Sequence, residues 1–271
     1  MSHIYDALKK SRGEEPVRPD AGSGGSTPPP EPPAAPPSSK GDQPLAPLVP
    51  DGKIQGRLLG EPNTSFLREL DTLRGNVDVL LSRQSRQVVC FTGAVPGEGS
   101  TTLAVHYAYL ISSVVGKRVL LVDGDMARSH LSLSDAIGER AGLSELLTSD
   151  LPLESAIVGT EDPKLHFLPA GQDQIHHIEA VTSGPIRSLL DHLGERYDAV
   201  VIDSAPVLEH PESPLIGAAC DGVVLVVRAE RMRWEIAQRA LRELNIARCR
   251  ILGSVLNAWR PSLPSFLSER V

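Results

Sequence analysis

Long apolar runs are missing from this chain: no stretch reaches the ~18 apolar residues that a membrane-spanning helix requires. Any attachment to a membrane is therefore expected to run through a partner. The opening residues are too few and too charged for a signal peptide. Cysteine is scarce. Cys90, Cys220 and Cys249 are scattered in apolar surroundings, without the paired spacing of zinc or redox sites, so core packing in a reducing compartment is their expected role. Basic charge is also short, with 27 Lys and Arg against 34 Asp and Glu and a net charge of −7. That balance argues against nonspecific nucleic-acid binding, which needs basic surface to displace counterions. Tyr5, Tyr107, Tyr109 and Tyr197 are the only tyrosines. The adjacent His176 and His177 lack a third ligand nearby in sequence, so a solvated pair is expected rather than a metal site.

About half of the prolines fall between Pro16 and Pro50, among Gly, Ser, Ala and acidic residues. Residues 13–60 therefore read as a disordered, partly extended linker, a spacer rather than an SH3-type ligand. Ahead of it, MSHIYDALKKSR places Ile4, Tyr5 and Leu8 at helical spacing before Lys9, Lys10 and Arg12. Residues 1–12 are read as a short amphipathic helix, a docking peptide or a frayed terminus. Residues 61–260 are expected to form the folded domain, followed by a short tail at 261–271.

Gly93 to Thr101 read GAVPGEGST. In a G-x-x-x-x-G-K-[ST] loop, glycines let successive backbone N–H groups converge on phosphate oxygens, and the following helix N-terminus adds partial positive charge. Gly93, Gly97 and Gly99 supply that geometry, with Pro96 and Glu98 between them. The Lys of such a loop bridges the β- and γ-phosphates, and the next hydroxyl is placed for Mg²⁺. Here Ser100 stands in the Lys position and Thr101 is kept; no Lys lies elsewhere in the loop. Nucleotide binding should survive that loss better than phosphoryl transfer. An ordinary tight turn is the competing reading. Context favours the phosphate loop, because the short run QVVCF precedes it and the long apolar run TTLAVHYAYLISSVV follows.

The fold class expected is α/β: a three-layer P-loop NTPase with a mostly parallel central sheet flanked by helices. Strands are predicted near Gln87–Phe91, Arg118–Val122, Leu165–Leu168, Ala199–Ile202, Gly222–Val227 and Ile251–Leu256. Helices are predicted near Phe66–Leu81, Thr101–Val115, Gly184–Gly194 and Arg233–Leu244. Nearly continuous apolar runs such as VLLV and GVVLVV imply strands buried on both faces. The second strand ends on Asp123 with Asp125 beyond it, and the fourth ends on Asp203, at the carboxyl edge where open parallel sheets bind ligands. Each Asp alone could be a turn or helix cap. Together they read as a Mg²⁺- and water-handling group opposite the phosphate loop.

These motifs resemble the bacterial tyrosine autokinases of capsule and exopolysaccharide synthesis, relatives of the MinD and ParA ATPases. The resemblance covers about residues 62–258 and rests on GAVPGEGSTT, VLLVDGDMAR, YDAVVIDSAPVL, DGVVLVVRAERM and GSVLN. It implies bound ATP or ADP with Mg²⁺. Gly97, Gly99, Ser100, Thr101 and Thr102 would cradle the phosphates, and Arg128 belongs to the second motif. Asp123 would activate an acceptor or water, Asp203 would hold Mg²⁺ through water beside Thr101, and Asn257 would meet the adenine edge. Thr102 could instead start the helix, and Asn257 could end a strand or form an Asx turn.

The chain departs from the family pattern in several places. The loop Lys is absent, and the tail NAWRPSLPSFLSERV carries no tyrosine cluster. Where the family would present Glu, Arg and Arg for ring assembly, the spacing lands on Arg68, Asp71 and Arg74. The third motif carries Ser204 and Ala205, and its distal Asp is replaced by Glu212. Residues 172–181 replace an Asn-Pro stretch. The expectation is an ATP-binding, cytoplasmic regulator of polysaccharide synthesis or export, with weak or no kinase activity. It would serve a membrane polysaccharide co-polymerase, a Wzz-like chain-length regulator, and a homo-oligomer is possible. The alternatives are an active kinase or ATPase completed by Arg128 or a partner's basic residue, and a MinD- or ParA-type positioning ATPase.

Overall fold

The computed structural model describes residues 64–82, 87–127, 140–172 and 184–258. The expected N-terminal helix, the linker, the 261–271 tail, Arg128 and the His176–His177 pair lie outside them.

Helices and strands alternate except between Gly124 and Pro185, where two short helices precede two short strands. The order runs α1 (Thr64–Leu80), β1 (Gln87–Gly93), α2 (Ser100–Tyr109), β2 (Val119–Gly124), α3 (Leu143–Thr148), α4 (Leu153–Ala156), β3 (Val158–Gly159) and β4 (Leu165–Leu168). It continues α5 (Pro185–Arg196), β5 (Ala199–Ser204), α6 (Glu212–Ala219), β6 (Gly222–Arg228), α7 (Trp234–Ile246) and β7 (Ile251–Asn257). The strands make one sheet in the order β3-β4-β2-β5-β1-β6-β7. Every pairing is parallel except that of the two-residue β3 with β4.

Strand side chains alternate between two cores, as a period of two on a sheet covered on both faces requires. Val88, Cys90, Leu120, Val122, Val200, Ile202, Val223 and Leu225 point into one core with residues of α5, α6 and α7. Val89, Phe91, Val119, Leu121, Ala199, Val201, Val224 and Val226 point into the other, with residues of α1 and α2. Burial of ~25 cal/mol per Å² of apolar surface on both faces holds the three layers together.

Within the described residues the predicted strands and helices occur, each within a few residues of its expected bounds. The second helix is not α-helical throughout: after Tyr109 it widens into a π-helical segment, Leu110–Val115, that ends at Gly116 with φ 80°. A glycine in the left-handed region is the usual helix stop. The short α3, α4 and β3 escaped sequence reading because they span too few residues to show a period. The apolar, almost wholly buried α6 escaped it because it has no polar face to set one.

Candidate functional site

The loop between β1 and α2 is built on two left-handed glycines, Gly97 at φ 82° and Gly99 at φ 89°. Side chains are strained at such φ, so the Gly-rich sequence is a backbone requirement here. Gly99 is also the N-cap of α2, and its carbonyl accepts the first helical bond, from the Leu103 N–H. Ser100, Thr101 and Thr102 therefore form the first turn of α2, with their amides at its positive end.

Parity along the strands decides which side chains face this turn. Asp123 shares the parity of Leu121, and Asp203 that of Val201, so both point to the α2 side of the sheet. They are register partners on the adjacent β2 and β5. Asp123, Asp125 and Asp203 are all buried. The Asp125 amide donates to Asp123 Oδ1 at 3.1 Å. The Thr101 hydroxyl hydrogen-bonds to Asp203, while Asp203 Oδ1 is buried with no partner. Burial, then the neighbouring Asp123 charge, pushes the Asp203 carboxyl well above the usual range, with Asp125 adding to the rise and Thr101 opposing it.

A buried carboxylate oxygen without a partner is costly, and in a pocket of oxygen atoms it fits a hard cation. Among the described residues no three His, Cys, Asp or Glu side chains converge closely enough to hold a metal unaided. A Mg²⁺ here would thus take part of its shell from water and phosphate oxygens.

Glu98 and Asn257 lie against the loop from the other side. The Glu98 carboxylate is buried, accepting the Ala94 N–H at 2.9 Å on Oε2 and the Arg228 N–H at 3.4 Å on Oε1. Burial raises its pKa, and bonds from the Ala94, Arg228 and Val95 backbone oppose the rise. Asn257, at the end of β7, donates from Nδ2 to the Glu98 carbonyl at 2.7 Å and accepts the Ala258 N–H on Oδ1 at 2.8 Å. Sequence reading passed over Arg228, whose Nη1 donates to the Gly97 carbonyl at 3.3 Å. Its position at the carboxyl end of a central strand was the available signal.

The altered third motif is accounted for on the opposite face of the sheet. Ser204 shares the parity of Ile202, and its hydroxyl donates to Ser213 at 2.9 Å. Ser213 and Thr92 both donate to the Ala205 carbonyl, at 2.6 and 2.8 Å. Glu212 is buried and its Oε1 lies 3.3 Å from His210 Nδ1, while His210 Nε2 is buried without a partner. This network buttresses the carboxyl end of β5 from behind Asp203. The cysteines that are scattered in sequence all lie buried in one core, where the Cys220 thiol donates to the Ile216 carbonyl at 3.1 Å and the Cys249 thiol to the Pro214 carbonyl at 3.2 Å. In α1, Arg74 is spent on Asp71 and Asp78, at 2.8 and 2.7 Å.

A left-handed glycine loop capping a helix, with strand-end aspartates beside it, defines a P-loop NTPase domain. The family described as an AAA domain matches residues 86–249. Tyrosine-protein kinase YwqD of Bacillus subtilis is 26% identical over 74% of this chain and 85% of its own length. Succinoglycan biosynthesis transport protein ExoP of Rhizobium meliloti is 24% identical over 80% of this chain. The chain spans only 28% of ExoP, and about a quarter of several other curated relatives. Among solved structures, the BceF tyrosine kinase domain is 32% identical with TM-score 0.63, covering 70% of this chain and 76% of its own. The MinD protein of Pyrococcus horikoshii in complex with Mg-ADP shares the fold, at 22% identity and TM-score 0.54 over 68% of this chain and 76% of its own. The chain belongs to the bacterial tyrosine-kinase family of P-loop NTPases.

Proposed function

We propose that this protein is an ATP-binding regulator of exopolysaccharide or capsular polysaccharide synthesis or export, a nucleotide-gated scaffold with little or no kinase activity of its own. The observation that carries this reading is Ser100 at the head of α2, in a loop whose glycine geometry and strand-end aspartates are otherwise kept. Backbone amides and the helix end can bind phosphates, but the cation that would neutralise a departing phosphoryl group is gone. Thr101 and Asp203 would hold Mg²⁺, which supplies charge neutralisation at the phosphates. Asp123 would orient an acceptor or water.

Two of the three tyrosines inside the fold agree with weak self-phosphorylation, Tyr109 being half-buried. Tyr107 and Tyr197 are buried, and burial pushes the Tyr197 phenol up to about 12. Neither can reach an active site without unfolding. The resemblance to relatives with kinase names and to the succinoglycan biosynthesis transport protein ExoP supports a role in polysaccharide synthesis or transport. No helix among the described residues is long and apolar enough to cross a membrane. The proposed partner is a membrane chain-length regulator of the Wzz kind, a reading that rests on the resemblance to ExoP.

A second reading is a working kinase or ATPase whose missing cation comes from a partner. Asp203 favours it, since a buried carboxylate kept against its own desolvation suggests live Mg²⁺ chemistry. Calorimetric titration of the full chain with Mg-ATP and Mg-ADP, followed by ATPase and phosphotransfer assays with and without the partner, separates the two. Binding without turnover under both conditions supports the scaffold. Turnover that appears only with the partner supports the second reading, and no binding at all rejects both.

A further inference from the structure

Resting on the nucleotide reading above, we infer that Asn257 and Glu98 are positioning residues that hold the phosphate loop in its binding conformation, so that Asn257 serves the triphosphate as well as any base beside it. The Glu98 carbonyl is held by Asn257 Nδ2 and the Gly97 carbonyl by Arg228 Nη1. No peptide bond in the described chain is cis. In a trans peptide the C=O and the following N–H point in opposite directions. Pinning the carbonyls of Gly97 and Glu98 toward the ends of β6 and β7 therefore turns the N–H groups of Glu98 and Gly99 the other way, into the concave side of the loop.

Glu98 adds a tie from within. Its carboxylate bonds the Ala94 amide at the start of the loop and the Arg228 amide at the end of β6, so one buried side chain joins loop and sheet. Gly99 leaves room for this packing, since a Cβ there would collide with Asn257 Nδ2. The Asn257 carboxamide is already engaged at both ends, with Oδ1 on the Ala258 amide. Of its two N–H donors and two acceptor lone pairs, one of each is already used in tying the end of β7 to the loop. With no loop Lys, phosphate affinity depends on these oriented amides, so their bracing matters more than in a complete loop.

The test is calorimetry on the full chain with Mg²⁺ salts of tripolyphosphate, ATP and GTP. Asn257→Ala is expected to weaken all three, tripolyphosphate included, about five- to tenfold for the one hydrogen bond lost from the loop. The ligand-free thermal midpoint and circular dichroism should be little changed. Glu98→Gln, which preserves size but turns one acceptor into a donor facing an N–H, is expected to give the same loss for all three. A loss confined to ATP, with tripolyphosphate unaffected, would assign Asn257 to the base and overturn the inference. So would unchanged affinity for all three ligands in both variants. Failure of the unsubstituted chain to bind any of them would remove the nucleotide reading itself, and this inference with it.

Discussion

Asp123 and Asp203 are register partners on neighbouring strands, both buried and both on the α2 side of the sheet. The Asp123 charge adds to the cost of ionising Asp203. The site is thus held at some expense in stability, a pattern common where function needs charge.

Asp203→Asn should stabilise the ligand-free protein by about 1 kcal/mol at neutral pH and abolish Mg²⁺-dependent nucleotide affinity. Because the folded-state pKa of Asp203 is raised, the native form binds a proton more readily than the unfolded chain. The parent therefore gains stability as pH falls through that raised pKa, and the advantage of the Asn variant should shrink in the same window. Urea unfolding of both proteins across a pH series checks the direction. An advantage that grows on acidification would contradict it.

Restoring the missing cation tests the scaffold reading from the other side. Ser100→Lys should raise ATP turnover by roughly 10² to 10³, the scale of a single electrostatic contact to a reacting group. A coupled ATPase assay reads this directly. Unchanged turnover despite tighter binding would mean that the defect lies elsewhere than in the loop.

The three cysteines should be silent in the native protein. Cys90, Cys220 and Cys249 are buried, and burial pushes the Cys249 thiol up to about 12. A thiol reagent such as DTNB should label none of them at neutral pH within minutes and all three in guanidinium chloride. Rapid labelling of one in the folded protein would show that the core opens locally there.

Arg74 is the surviving Arg of the segment compared with ring-forming relatives, and it pairs with Asp71 and Asp78 on its own helix. Its loss should cost less than ~1 kcal/mol, as for other exposed or half-exposed helix pairs. Sedimentation velocity of Arg74→Ala should match the parent. A change in assembly mass would give the residue an intermolecular role.

Much of the fold was legible because its strands are unambiguous. VLLV and GVVLVV read as buried on both faces, and the alternation of Val89 and Phe91 against Val88 and Cys90 between two cores is what that reading requires. The phosphate loop was legible because its glycines answer a backbone demand. Ser204 and Ala205 looked like losses from a motif, yet Ser204 faces away from Asp203 and joins Ser213 and Thr92 in a network invisible in sequence. Asn257 and Glu98 lie 159 positions apart, and no local pattern announces their hydrogen bond.

The sequence by itself determined the α/β class, the glycine loop, the carboxyl-edge aspartates and the absence of a loop lysine. These follow from local periodicity, from steric limits on φ and from the identity of single residues. Tertiary structure alone decided which partners those residues meet: Asp123 beside Asp203, Asn257 on the loop carbonyl, Cys249 on the Pro214 carbonyl. Contacts between strands far apart in the chain depend on sheet order and register, which arise from packing the whole core at once.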